Sequence, residues 1–243
     1  MSDAGLRKTA RVAGFAFLLI LLGYTLTWVF VYSRLIVVGN VTATASNILT
    51  HEELFRIGIA TDLLIVVCGI ILALALYVMT RPADKTLALL ALCLMLTESV
   101  LAAVVVSFSF IALQLFNGRA SSTVFSANQL RDLFGLWVSF HAPAATVTMV
   151  FVSLGYIIYL YLMFKSGCVP KILSGFGIFS YSLLLVYSFV TILWVMPAIM
   201  QMGNVDVLCM APSCLFELTI GCWLLVKGVN VRREINSETR VVF

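Results

Sequence analysis

Charged residues are scarce in this chain, and their scarcity decides which class of protein it encodes. Charged side chains make up 11% of its 243 residues, against about 25% in a soluble globular protein. So little charge cannot cover the surface of a water-soluble domain. Basic residues form no cluster outside the segments that flank the apolar runs, which argues against nucleic acid as a partner.

The sequence also lacks the short motifs that identify common enzymes. It contains no H-E-x-x-H, no G-x-S-x-G around a serine and no glycine-rich loop for a nucleotide phosphate. None of its six cysteines forms a C-x-x-C pair, and Cys68, Cys93 and Cys222 lie inside apolar runs, where we predict small core residues. A disulfide between Cys209 and Cys214 is left open, because connectivity cannot be deduced from spacing.

Long apolar runs dominate the chain instead. Hydrophobic residues make up 62% of it, and an apolar run of about 18 residues or more indicates a membrane-spanning helix. The first run is longer than the apolar part of a signal peptide, so we interpret it as a retained signal anchor. We predict an all-α integral membrane bundle of six transmembrane helices, with residues 1–231 as one domain and 232–243 as a short polar tail. The predicted spans are 12–31, 57–79, 87–115, 133–164, 172–196 and 208–229.

The positions of lysine and arginine predict how the bundle is oriented. Six spans place both termini on one side, and eleven of the 15 Lys and Arg residues fall on that side. The four on the other side are Arg34, Arg56, Arg119 and Arg131. Because basic residues accumulate in cytoplasmic segments, we predict cytoplasmic N and C termini.

Four ionisable residues interrupt the apolar spans: Asp62, Glu98, His141 and Glu217. A charged side chain at the bilayer centre costs about 2.5–3.5 kcal/mol on insertion scales, and such a residue normally faces the bundle interior and marks a functional site. At 1.5 Å of rise per residue, Glu98, His141 and Glu217 fall near one depth, and Asp62 lies closer to the outer surface.

Small residues recur on the same helical face as each ionisable residue, with the spacing that marks helix–helix contact in membranes. The four stripes are Gly58, Asp62 and Gly69; Ala91, Glu98, Ala102 and Ser109; His141, Ala145, Thr148 and Gly155; and Ser213, Glu217, Gly221 and Gly228. We therefore predict that the four ionisable side chains point into the bundle and share one polar chamber.

Two active roles fit such a chamber. In the first, the four side chains bind or transport a small amphiphilic ligand or a proton-coupled solute, and Arg34 and Arg56 draw an anionic headgroup toward its mouth. In the second, His141, Glu98 and Glu217 hold zinc or iron, and the protein is an intramembrane hydrolase of a lipid-like substrate.

A structural role is the third alternative. A buried carboxyl group is then protonated and only hydrogen-bonds a neighbouring helix, and the chain is a partner subunit. Asp62, the residue nearest the surface, pairs in this alternative with Arg56 or Arg131. The sequence alone selects neither the ligand nor the oligomeric state.

The loop between the first two spans, residues 33–56, is the longest. Its mixture of apolar and small polar residues favours an ordered segment, and Leu35–Val38 is predicted to lie in the outer membrane interface or over the mouth of the bundle. Thr50 and Glu53 have the spacing of a capping box at the start of the second span.

Five aromatic residues near span ends are interpreted as interface anchors: Tyr24, Trp28, Tyr32, Trp137 and Trp194.

Several segments resemble the domain-of-unknown-function 4386 family. They are SRLIVVGN at 33–40, TATA at 42–45, ELFRIG at 53–58, RVAG at 11–14, LYVMTRP at 76–82, KSGCVPKIL at 165–173 and the stretch 217–228. The resemblance implies a multi-pass protein of a prokaryotic inner (plasma) membrane with no assigned activity, and it transfers no catalytic residue. In the family pattern an arginine falls three residues before the glutamate of the third span. Here that residue is Met95, so Glu98 needs another partner.

Overall fold

The computed structural model describes residues 3–37, 39–116, 127–193 and 204–229. Within these ranges the chain forms helices joined by turns. A π-helical turn over Trp28–Tyr32 continues the first helix. The α-helices are α1 (Asp3–Thr27), α2 (Ser33–Leu35), α3 (Val41–Thr50), α4 (Glu52–Thr80), α5 (Lys85–Phe116), α6 (Ala127–Ser166), α7 (Lys171–Leu193) and α8 (Asn204–Val226).

Six helical segments among the described residues are long and apolar enough to cross a membrane, which confirms the all-α, six-span prediction. They are Ala4–Leu35, Glu52–Thr80, Lys85–Leu115, Pro143–Ser166, Lys171–Leu193 and Leu208–Val226. Residues 133–142 belong to α6, but several of their side chains lie outside the described residues, so the start of the fourth span at residue 133 stays a prediction. Pro143 lies inside α6 without ending it, although proline supplies no backbone N–H there. The predicted tail 232–243 lies outside the described residues, and the side occupied by each terminus stays a prediction.

The outward faces of these helices are apolar. Ile172 is 89% exposed, Leu193 80% and Leu208 72%. Large apolar side chains on neighbouring turns form a surface that suits lipid tails. The chain is therefore a multi-pass membrane protein.

The residues divide by their contacts into two units. The first unit comprises residues 1–21, 68–99 and 146–243. Its core includes Phe17 of α1, Leu76 of α4 and Phe216 of α8. Gly14 and Gly221 allow α1 and α8 to approach closely, since a Cβ atom at Gly14 would lie 2.7 Å from the carbonyl oxygen of Gly221.

The second unit comprises residues 22–67 and 100–145. Its core joins Leu35 of α2 and Ile48 of α3 to Phe55, Leu113 and Trp137. Leu35 is fully buried in this core, so the predicted outer loop folds onto its own unit.

Two short helices organise that loop, and polar side chains fix the turn between them. Asn40 caps α3, because its side-chain oxygen accepts a hydrogen bond from the backbone N–H of Ala43 at 2.9 Å. Thr44 is buried, and its hydroxyl oxygen accepts a hydrogen bond from the N–H of Val37 at 3.0 Å. The predicted capping box is wrong. Thr50 ends α3, and its hydroxyl group donates to the carbonyl oxygen of Ser46.

Candidate functional site

Asp62 of α4 is bound by a tyrosine from the first span. The hydroxyl group of Tyr32 donates a hydrogen bond to Oδ2 of Asp62. Tyr32 is the last residue of the π-helical turn, and single turns of this kind are frequent at functional sites. Gly58, one turn before Asp62, packs against the same π-helical turn, because a Cβ atom there would lie 3.0 Å from Cγ1 of Val31.

His141 of α6 lies beside the same tyrosine. Its ring centroid is 6.4 Å from that of Tyr32 and 5.7 Å from that of Trp137. The indole N–H of Trp137 donates to Oγ of Ser109 at 3.2 Å. Nδ1 of His141, in contrast, is a buried atom that has no hydrogen-bond partner in the described part of the chain. We call Tyr32, Asp62, Trp137 and His141 the Asp62 cluster.

Glu217 of α8 is held in a different way, inside the first unit. The hydroxyl group of the buried Tyr181 donates to Oε1 of Glu217 at 2.6 Å. The ring of Tyr181 stacks on Tyr156 at a centroid distance of 4.4 Å, and it meets Phe216 edge to face at 6.0 Å. These four residues, Tyr156, Tyr181, Phe216 and Glu217, form the Glu217 cluster.

Glu98 of α5, also in the first unit, has a much weaker partner. Oγ of the adjacent Ser99 lies 3.3 Å from its Oε2, and the same Oγ lies 3.0 Å from the carbonyl oxygen of Met95. Met95 is buried against Gly155, where a Cβ atom would lie 2.8 Å from the Met95 Cγ. No ion pair joins Glu98 to a lysine or arginine within the described ranges, so the partner that we expected for Glu98 is not a cation of the described residues.

The family model described as "Domain of unknown function (DUF4386)" matches residues 12–228. The chain belongs to the DUF4386 family. No curated protein and no solved structure matches it. The matched region contains both clusters and Glu98.

This DUF4386 protein brings together some of the predicted site residues. Tyr32 connects Asp62 and His141 in the second unit, whereas Glu98 and Glu217 belong to the first and share no hydrogen bond in the described structure. One chamber shared by all four residues stays a prediction.

The two predicted headgroup arginines have different surroundings. Arg34 lies in the middle of α2 and is exposed. The Nε group of Arg56 donates to Oε1 of Glu52 at 2.6 Å, so Arg56 is paired with a neighbour on its own helix. The alternative pairing of Asp62 with Arg56 is therefore wrong in this structure. The side chain of Arg131 lies outside the described residues.

A metal centre and a disulfide gain no support from the described residues. No group of three His, Cys, Asp or Glu side chains among them is placed to hold a metal ion. The zinc or iron site of His141, Glu98 and Glu217 stays a prediction. No disulfide joins the cysteines of the described ranges, which include Cys209 and Cys214.

The tyrosine partners of the two carboxyl groups were not predicted. Tyr32 and Trp137, which were interpreted as interface anchors, both take part in the contacts of the Asp62 cluster, and their position relative to the membrane interface stays a prediction. Trp28 and Tyr24 are exposed as anchors should be, and Trp194 lies outside the described residues. Tyr181 does carry a sequence signal, since it shares the buried face of α7 with the small residues Ser174, Gly177 and Ser188.

Proposed function

We propose that this DUF4386 protein binds a small amphiphilic ligand within the membrane, and that the polar head of the ligand contacts the Asp62 cluster. One observation carries the proposal: Nδ1 of His141 is buried and has no partner in the described part of the chain. The large majority of buried side-chain polar atoms in proteins have a hydrogen-bond partner, and an unsatisfied one costs about 1–3 kcal/mol. A ligand that hydrogen-bonds His141 would offset that cost.

The side chains around His141 indicate the chemical class of the ligand. The rings of Tyr32 and Trp137 flank the imidazole and offer apolar walls for a compact head. The cluster contains the carboxyl group of Asp62, and Arg56 is already paired with Glu52. This charge balance favours a neutral or cationic head, such as an alcohol, an amide or an amine, over an anionic one. The attraction of an anionic headgroup by Arg34 and Arg56 stays a prediction.

Proton exchange can accompany binding at this cluster. A carboxylate only accepts hydrogen bonds, whereas a protonated carboxyl group also donates one. A proton on Asp62 would therefore change its bond with Tyr32 and the position of the tyrosine beside His141. Glu98, which no cation neutralises in the described structure, is a second residue that we propose to exchange protons. The ligand or solute would thus be bound or transported in step with protons.

We also infer that the protein resides in the inner (plasma) membrane of a prokaryote, with both termini in the cytoplasm. The family membership and the distribution of lysine and arginine support this placement.

The function is tested by thermal unfolding of the purified protein in lipid nanodiscs. The probes are medium-chain alcohols, amides, amines and carboxylates with the same alkyl chain. A ligand present at about 100 times its Kd stabilises the folded state by about 2.7 kcal/mol. This corresponds to a rise in Tm of about 5–10 °C for a protein of this size.

Three variants distinguish binding at the Asp62 cluster from nonspecific stabilisation by the amphiphile. His141→Phe and Tyr32→Phe should each abolish the rise in Tm, and Tyr181→Phe, the matched change in the Glu217 cluster, should preserve it. An equal rise in all three variants would refute the proposal, as would the absence of a rise in the unmodified protein for every probe.

A different role is favoured for Glu217. Its carboxyl group already accepts a hydrogen bond from a buried tyrosine that is packed among aromatic rings. We propose that the Glu217 cluster joins α7 to α8 and stabilises the fold, which is the structural alternative for this one residue.

A further inference from the structure

A shallow groove of about 340 Å³ lies between α7 and α8 in the first unit. Its wall consists of apolar atoms and includes Phe176 of α7. From α8 it includes Leu215, Thr219 and Trp223, which follow one another at intervals of four residues and so lie on one helical face. The groove is distinct from the Asp62 cluster, because every residue that lines it belongs to the first unit.

Two lysines give one end of this groove a positive charge. Lys171 begins α7 beside the groove residues Pro170 and Ile172, and its Nζ lies 5.5 Å from the centroid of the Phe164 ring, which does not line the groove. Lys227 directly follows α8, and its Nζ lies 4.4 Å from the centroid of the Trp223 ring, which lines the groove. Both lysines are exposed, and neither forms an ion pair within the described ranges.

We propose that this groove binds an anionic phospholipid, with one acyl chain along the apolar wall and the phosphate group between Lys171 and Lys227. The proposal rests on complementary charge, because basic pockets between transmembrane helices on the cytoplasmic side bind anionic headgroups. An acyl chain also suits a wall without polar atoms, since it needs no hydrogen bond.

A second copy of the chain fits the groove less well than a lipid. Two copies related by a two-fold axis present the same surface to each other. If their grooves faced each other, both pairs of lysines would come together without a compensating acid, because no residue that lines the groove is Asp or Glu. Like charges in such a contact would weaken it.

Native mass spectrometry of the full chain tests the proposal. The protein is reconstituted in nanodiscs that contain phosphatidylglycerol and phosphatidylcholine with identical acyl chains, and the lipids that remain bound after release are counted. Phosphatidylglycerol should be retained in preference to phosphatidylcholine. The preference should fall roughly fivefold for each lysine replaced in Lys171→Gln and Lys227→Gln.

Matched variants identify the site. Lys8→Gln combined with Lys85→Gln removes the same total charge as Lys171→Gln combined with Lys227→Gln, but from α1 and α5 instead of the two helices of the groove, and should leave the preference intact. Thr219→Phe fills the groove and should reduce retention while leaving Tm close to that of the unmodified protein. Equal retention of the two lipids, or an equal loss in the Lys8 and Lys85 variant, would overturn the proposal. A change from dimer to monomer in Thr219→Phe with lipid retention unchanged would assign the groove to a second copy instead.

Discussion

Removing the hydroxyl group of Tyr181 tests the structural role that we assign to the Glu217 cluster. Tyr181→Phe deletes one oxygen atom and keeps the ring, so the stack on Tyr156 at 4.4 Å and the edge contact with Phe216 at 6.0 Å should persist. The main change is the loss of the 2.6 Å hydrogen bond to Glu217.

The expected cost follows from what that bond satisfies. A buried acceptor left without its donor destabilises a protein by about 1–3 kcal/mol. Inside membranes the measured coupling between hydrogen-bonded side chains is lower, about 0.6 kcal/mol on average and at most about 1.7. We therefore expect Tyr181→Phe to lower the free energy of unfolding by about 1 kcal/mol. Glu217→Gln should cost less, because the amide oxygen still accepts the bond from Tyr181.

Equilibrium unfolding in mixed detergent micelles measures these changes. The single variants Tyr181→Phe and Glu217→Leu and the double variant give a double-mutant cycle, and the coupling energy should lie between about 0.6 and 1.7 kcal/mol. Tyr156→Phe is the matched control, because it removes a hydroxyl from the other ring of the stack. A coupling energy near zero would show that the Tyr181–Glu217 bond does not stabilise the fold.

Two further changes test close packing and capping. Gly14→Ala should destabilise the protein by about 1–3 kcal/mol, because the new Cβ atom would overpack against Gly221. Gly175→Ala is the control, since a new Cβ atom there meets nothing within 4 Å, and it should be neutral or slightly stabilising. Equal losses of Tm in the two variants would contradict the close approach of α1 and α8. Asn40→Ala removes the cap of α3 and should lower the stability of that helix by about 0.5–2 kcal/mol. The measurement is amide hydrogen exchange, which should become faster across α3. Thr42→Ala, at an exposed position of the same helix, is the control. Unchanged exchange in Asn40→Ala would mean that the cap does not hold the helix.

The spans were predictable because lipid leaves few structural choices. A backbone in hydrocarbon must satisfy its own hydrogen bonds, so long apolar runs become helices, and the six predicted runs do so within the described residues. The ends of the helices were less predictable than the spans. The helix α6 begins at Ala127, before the apolar run that identifies its span, because polar and charged residues can also be helical outside the lipid.

The partners of the ionisable residues could not be read from the sequence, because they depend on how neighbouring helices are rotated and shifted. Tyr32 lies near a span end, where an anchor is the usual interpretation, and the π-helical turn that carries it has no signature in the sequence. On α5 the predicted face was only roughly correct. Ser99, rather than Glu98, follows the buried Ala91 and Met95, and a shift of one residue rotates a side chain by about 100° around a helix axis.

The central claim is that a ligand hydrogen-bonds Nδ1 of His141. Magnetic resonance of isotope-labelled histidine in nanodiscs tests it most directly, because the chain has only two histidines and His51 is an internal reference whose Nδ1 lies 3.1 Å from the carbonyl oxygen of Asn47. An amphiphile that raises Tm should move the Nδ1 signal of His141 and leave that of His51 unchanged. If such a ligand raises Tm while the His141 signal stays in place, the ligand binds elsewhere and the account is wrong.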